Sequence, residues 1–212
     1  MKTYSLETSS LQDIVSTTTD ILHSGGTVIG PTDTVYGIFG DATNEEAIQK
    51  MFALKKRPKE KAFPVFVRDI AMARRYAYIS DAKAKFLEKV WPGKVTVIFH
   101  KKEKLPDMLT AGTETIGMRL PAHPFLQELL AQLEAPLAQT SANVSGMLPA
   151  KNIEDVKKYF DGAETEPDIV IDAGSIESPA STVIDFTDNT PLLIRTGLIS
   201  KSELDTLLSE IR

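Results

Sequence analysis

Thr27-Val28-Ile29-Gly30-Pro31-Thr32-Asp33-Thr34-Val35-Tyr36-Gly37 reads as a buried strand that stops at a proline and hands over to two hydroxyls and a carboxylate. Ligands of open α/β sheets settle where strands end. A polar turn leaving a sheet at that point therefore marks a candidate binding wall. Further along, Lys55-Lys56-Arg57-Pro58 concentrates cations, which suggests a small polar substrate held beside a phosphate. The threonines have a second reading, as a turn in which side-chain oxygens satisfy local backbone N–H groups. The Asp33 carboxylate shares that turn-forming reading.

Outward from this stretch, helical and strand patterns interleave. Ser9 or Ser10 can cap a helix carrying Leu11, Ile14, Val15, Ile21 and Leu22, closed by Gly25-Gly26. Strands are expected over Thr27–Ile29 and Val35–Phe39. A helix capped by Asn44 then buries Ala47, Ile48, Met51, Phe52 and Leu54 and ends by Pro58. Phe63–Val67 reads as a strand, Ile70–Tyr76 and Ala82–Trp91 as helices, and Lys94–Phe99 as a strand. In Thr115–Leu120, Thr115, Gly117 and Arg119 share one face while Ile116, Met118 and Leu120 share the other. Helices over Pro124–Leu133, Asn152–Phe160 and Lys201–Ile211 and strands over Leu137–Gln139, Ile169–Ile171, Ser181–Phe186 and Leu192–Ile194 complete the pattern. Asp188-Asn189 turns the last two strands into a hairpin. The expected fold is α/β, a single domain over residues 1–212 with a twisted mixed sheet and flanking helices.

The 212 residues are 42% hydrophobic and 25% charged, ordinary for a globular chain, with no apolar run long enough to span a bilayer and no signal-peptide core at the N-terminus. Cytoplasm is the expected compartment. Without cysteine, disulfides, thiolate metal sites and cysteine nucleophiles are excluded. The net charge of −5 conceals a basic stretch: residues 50–104 hold 16 Lys+Arg against 5 Asp+Glu. Such a bias attracts anions, nucleotide or RNA phosphate, or else forms a solvated helical surface.

No P-loop, dinucleotide fingerprint, His-rich metal spacing or G-x-S-x-G elbow occurs, and His23, His100 and His123 read as structural or surface residues. No protein-borne metal site and no side-chain nucleophile is expected. Five polar clusters remain, each near a strand end. Besides Thr32–Thr34 they are Lys55–Arg57 with Lys59 and Lys61, Arg119, Thr140–Gly146, and Ser181–Asp185 with Arg195–Gly197. Lys55–Arg57 also suits a helix C-terminus. Arg119 fits either an anionic ligand or a carboxylate of the chain itself. Thr140–Gly146 offers a phosphate nest. The proposed hairpin brings Ser181 near Arg195, with an edge-strand salt bridge as the other reading.

In this order, PTDTVYG, LKKRP, WPGKVTVIF, TIGMRLPAHP, TSANVSG and STVIDF with LLIRTG resemble the YrdC-type threonylcarbamoyl-AMP synthase family, from Pro31 to Gly197. The resemblance implies a sheet curved around a basic concave cavity. It also implies synthesis of threonylcarbamoyl-AMP and pyrophosphate from L-threonine, bicarbonate and ATP. The product would pass to a tRNA threonylcarbamoyl transferase complex, with direct contact to tRNA or double-stranded RNA as a further implied partner and no membrane. Carried onto this sequence, it places Thr32, Arg119 and Ser181 at threonine. Lys55, Arg57, Lys59, Thr115, Ser141, Asn143 and Arg195 fall at ATP, and Mg²⁺ is carried mainly by the ATP phosphates. Lys94, the loop Lys61-Ala62-Phe63-Pro64 and Arg195-Thr196-Gly197 depart from the common family pattern, and the chain matches the short form. The competing reading is an RNA-binding module without catalysis that uses the basic stretch.

Overall fold

The computed structural model describes residues 1–197 and 199–209. Its elements run β1 (Thr3–Ser5), α1 (Leu11–His23), β2 (Val28–Gly30), β3 (Gly37–Asp41), α2 (Glu45–Lys55), β4 (Val65–Phe66), α3 (Ile70–Tyr76), α4 (Asp81–Val90) and β5 (Val95–His100). They continue with α5 (Asp107–Thr110), β6 (Thr115–Arg119), α6 (Pro124–Gln132), β7 (Leu137–Ser141), α7 (Ile153–Phe160), β8 (Ile169–Asp172), β9 (Thr182–Asp185), β10 (Leu192–Arg195) and α8 (Lys201–Ser209). All ten strands join one mixed sheet in the order β1-β8-β2-β3-β7-β4-β6-β5-β9-β10.

Strand residues alternate between two cores, as a period of two requires. Ile29, Ile38, Val65, Ala138 and Val170 join a large core with helices α2, α3, α4 and α7. Their neighbours Val28, Phe39, Phe66, Leu137 and Ile169 join a second core with α1 and α6. Beyond β4 the alternation changes character. Val65 pairs with Met118 and Phe66 with Arg119, so Arg119 lies on the face that α1 and α6 cover elsewhere. On that face β6, β5 and β9 carry Thr115, Gly117, Thr96, Ile98 and Val183 instead of large apolar groups. The other face keeps Ile116, Met118, Val97, Phe99 and Ile184 in the large core. One half of the sheet face thus packs helices, and the other half is left as a concave floor.

Local chemistry explains most boundaries. Asn44 caps α2 as expected, accepting from Glu46 N and Ala47 N at 2.9 and 3.1 Å. Ser10 stands at the N-cap of α1 without a side-chain bond. The expected strand over Val35–Phe39 begins only at Gly37, because Tyr36 N is drawn to Ala150 O at 3.2 Å. β1, a three-residue polar strand, and α5 lie where no element was expected. The hairpin of β9 and β10 forms, antiparallel and bulged between Leu193 and Arg195. The C-terminal helix is described to Ser209; its expected end at Ile211 lies outside the described residues, as does part of the span given to the single domain. Among the described residues no helix is long and apolar enough to cross a membrane.

Candidate functional site

A cavity of about 480 Å³ opens over the bare half of the sheet, within the size range of small-molecule sites. Its floor is β6, β5 and β9, and its walls come from the turn after β2, the loop after α2, the end of β7 and the β10 hairpin. Thr32, Arg57, Thr115, Arg119, Ser141, Ser181 and Arg195 of the expected site residues line it. Lys55, Lys59 and Asn143 do not. Among the described residues three guanidinium groups and no carboxylate reach the wall.

The turn after β2 is held by its own hydroxyls. Thr32 Oγ1 accepts from Thr34 N at 2.9 Å and Val35 N at 3.1 Å and donates to Val35 O at 2.7 Å. Thr34 Oγ1 lies 2.8 Å from Thr32 Oγ1 and accepts from Arg119 Nη1 at 3.5 Å. With the Thr32 proton committed to Val35 O, Thr34 is the donor of the pair. The chain therefore runs one way, from Arg119 through Thr34 and Thr32 to Val35 O. Thr32 lines the cavity, but its hydroxyl organises the turn, so the turn-forming reading accounts for its bonds.

Arg119 projects from β6 as the alternation requires. Its Nε donates to Gly93 O at 2.9 Å and its Nη2 to Asp33 Oδ1, while Asp33 Oδ2 accepts from Ala122 N at 3.2 Å. The two side chains are 3% and 7% exposed, a buried ion pair. Burial lowers the Arg119 pKa, Asp33 opposes this, and nearby Arg195 adds to the lowering. The carboxylate partner that the sequence left open is thus Asp33, and it holds Arg119 at the wall. Across the floor, Arg195 donates from Nε to Ser181 O and from Nη2 to Ser181 Oγ, both at 3.0 Å, and Thr96 Oγ1 is 3.1 Å from the same hydroxyl. The hairpin brings Ser181 and Arg195 together as expected.

Lys55 and Arg57 part company. Lys56 between them takes the left-handed conformation, φ 46°, that ends α2. Arg57 turns to the cavity, donating to Lys61 O at 3.0 Å and Ala62 O at 2.9 Å with its guanidinium 5.0 Å from the Phe63 ring. Lys55 is 3% exposed, and its Nζ donates into the loop after β7. Burial, with a lesser push from Arg57, lowers its pKa to about 7. Asn143 is spent in the same loop, its Nδ2 donating to Val144 O at 2.9 Å and Met147 O at 2.7 Å. Lys59 is exposed in the turn beyond the helix. Lys55 and Asn143 thus bond behind the wall and Lys59 is exposed beyond the helix, so these three expected residues are not among those lining the cavity.

Thr34, part of the first polar cluster, is on the wall as well, while Thr96, Thr113 and Gln139 are wall residues that sequence reasoning missed. The signal for Thr96 was available, since Thr96 and Ile98 alternate against Val95, Val97 and Phe99. His123 sits at the start of α6, its pKa lowered by burial against the pull of Asp33, outside the cavity wall as the structural reading expected. Of the basic stretch, Arg57 is the one charged residue on the wall. Arg68, Arg74, Lys83, Lys101 and Lys102 bond to carbonyls or carboxylates around α3, α4 and β5. Among the described residues no cluster of His, Asp and Glu could hold a metal ion.

The family model Sua5/YciO/YrdC, described as telomere recombination, matches residues 20–197. A relative from Methanocaldococcus jannaschii, provisionally named a threonylcarbamoyl-AMP synthase, is 36% identical over 85% of this chain and 84% of its own. The threonylcarbamoyl-AMP synthase of Pyrococcus abyssi is 32% identical over 90% of this chain, but the match spans only 56% of that longer protein. Among solved structures, Pyrococcus abyssi Sua5 complexed with L-threonine superposes with a TM-score of 0.88 at 29% identity, covering 100% of this chain and 61% of that one. Escherichia coli YciO superposes with a TM-score of 0.81 at 25% identity, covering 94% of this chain and 96% of that one.

Proposed function

Because this chain belongs to the Sua5/YciO/YrdC family, we propose that it makes threonylcarbamoyl-AMP and pyrophosphate from L-threonine, bicarbonate and ATP. The observation that carries the reading is the wall itself: among the described residues three guanidinium groups converge with hydroxyls and no carboxylate lines the cavity. Such a lining suits substrates that are themselves anions and a reaction needing placement and charge neutralisation more than a nucleophile. The naming of relatives as threonylcarbamoyl-AMP synthases supports the choice among such reactions.

In this proposal the threonine amine joins bicarbonate to give a carbamate with loss of water. A carbamate oxygen then attacks the α-phosphorus in line, the new P–O bond forms, and the bond to pyrophosphate breaks. Arg119, fixed by Asp33, takes the amino-acid carboxylate. Arg57 and Arg195 neutralise phosphate charge, and Ser141, Ser181 and Thr115 supply hydroxyl contacts. Seating the substrates against the concave floor limits water at the carbamate and the mixed anhydride. The donors present do not make a protein metal site, so Mg²⁺ enters with the nucleotide, held by phosphate oxygens and water. The product goes on to a transferase acting on tRNA.

The test is pyrophosphate release from ATP. Release that requires both threonine and bicarbonate is the expected result. Release without threonine, or none at all alongside strongly salt-dependent RNA binding, would sink the proposal in favour of an RNA-binding role.

A further inference from the structure

Nine residues, 173–181, carry the chain from β8 to β9, which stand seven steps apart in the order β8-β2-β3-β7-β4-β6-β5-β9. Strands spaced about 4.8 Å would set the two about 34 Å apart in a flat sheet, close to the full reach of that much chain. The curl of the sheet gives the link its slack, and its course depends on where it is fastened. Near its start Tyr36 Oη accepts from Ala173 N at 2.9 Å and donates to Gly174 O at 2.8 Å, and Ile176 N donates to Lys151 O at 2.7 Å. Near its end the half-buried Lys94 holds it twice. Lys94 Nζ donates to Ser178 Oγ at 2.7 Å, and Lys94 O accepts from Thr182 N at 3.0 Å. Ser178 Oγ donates onward to Pro179 O at 3.3 Å. Lys94 is also a position at which this sequence departs from the common family pattern.

Only Pro179, Ala180 and Ser181 lie between the two fastenings. Ala180 and Ser181 belong to the cavity wall, and Lys94 does not. Ser181 gives both its oxygens to the Arg195 guanidinium. Arg195 stands close enough to Arg119 to disfavour its charge. The two cations repel, and the Ser181 oxygens are what hold Arg195 at the floor. We propose that Lys94 is a positioning residue: clasping Ser178 and Thr182, it bows residues 179–181 onto the cavity rim and so fixes Ser181 and Arg195 for a phosphate-bearing substrate. The ammonium acts at one remove, through a hydroxyl and a bow of three residues.

The experiment is proton exchange by NMR on the whole, ligand-free chain, compared among wild type, Lys94→Met, Ser178→Ala and Lys85→Met, the last removing an exposed cation of α4. Lys94→Met and Ser178→Ala should each speed exchange of the Arg195 Nε proton and the Thr182 amide at least tenfold, with the amides of β5 at wild-type rates. Lys85→Met should match wild type throughout. Wild-type exchange in Lys94→Met overturns the clasp, and so does equally fast exchange in Lys85→Met, which would mark a general effect of lost charge. Should Lys94→Met not fold, wild-type exchange in Ser178→Ala overturns it equally.

A second readout rests on the proposed synthase reaction. Lys94→Met should raise KM for ATP fivefold or more with kcat within about threefold, and the double variant with Ser178→Ala should be no worse than the poorer single one. Losses that multiply would make Lys94 a direct ligand and overturn the positioning role. If the chain releases no pyrophosphate at all, the function proposal fails while the exchange result still decides the clasp.

Discussion

Asp33→Asn isolates the ion pair that holds the cavity's central cation. The substitution keeps the shape of the side chain but removes its charge. It also replaces one acceptor with an NH₂, so a donor now faces either Arg119 Nη2 or Ala122 N. With the two side chains 3% and 7% exposed, water cannot make up the loss. Arg195 already disfavours the charge on Arg119, so the uncompensated cation is worse off still. Removing one partner of a buried pair costs about 3–5 kcal/mol. For a chain of this size that lowers Tm by roughly 6–20 °C. The assay is urea unfolding at pH 7 of wild type, Asp33→Asn, Arg119→Met and the double variant. The double variant should recover at least about 2 kcal/mol over the sum of the singles, since deleting both charges leaves nothing uncompensated. A loss in Asp33→Asn below about 1 kcal/mol, or single losses that simply add, would refute the reasoning and demote the pair to a surface contact.

Arg119→Lys keeps a cation for Asp33 but loses the fork that also reaches Gly93 O and Thr34, so threonine KM should rise tenfold or more in steady-state assays while Tm moves by a few degrees. A Cβ at Gly197 would fall on the backbone of Ala180 and Thr182 and 2.7 Å from the Ser181 carbonyl carbon. Gly197→Ala should therefore pull Arg195 off Ser181 and weaken nucleotide use, read as a raised KM for ATP with the far-ultraviolet spectrum retained. Stability should also depend on pH through Lys55, whose pKa falls to about 7 in the folded chain while the unfolded chain holds that proton to its ordinary value near 10.5. Between these values the unfolded state binds more protons, so the contribution to stability grows as pH rises, by at most about 1.4 kcal/mol per pH unit. The slope measured by urea unfolding from pH 7.5 to 9.5 should be steeper in wild type than in Lys55→Met; equal slopes would show that Lys55 keeps its proton throughout.

Local signals carried the reading of the fold a long way. Period-two alternation put Arg119 on the open face, and Asn44 announced α2 through cap chemistry that needs no tertiary help. β1 escaped notice because three polar residues become a strand only when Val170 and its neighbours arrive from far along the chain. The cavity lining was legible where a strand fixed the side chain, as at Arg119 and Thr115, and at Ser181 immediately before β9. It was illegible at Lys55, because a left-handed residue decides which way neighbouring cations turn and nothing local reveals where a buried ammonium will find its oxygens. The charge excess of residues 50–104 misled: of its cations only Arg57 lines the cavity, and the other two arginines of the wall, Arg119 and Arg195, come from far along the chain.

The cavity floor joins β6 to β9 and β10 through β5, so the wall is complete only when residues near 181 and 195 have found strands formed by residues near 96 and 119. Pairings of such sequence separation are slow to close. During synthesis the amino-terminal strands can emerge and pair while the cavity still lacks one side. The shape of the site is therefore tied to the docking of the β9–β10 hairpin on β5, a pairing of strands that lie far apart in the chain.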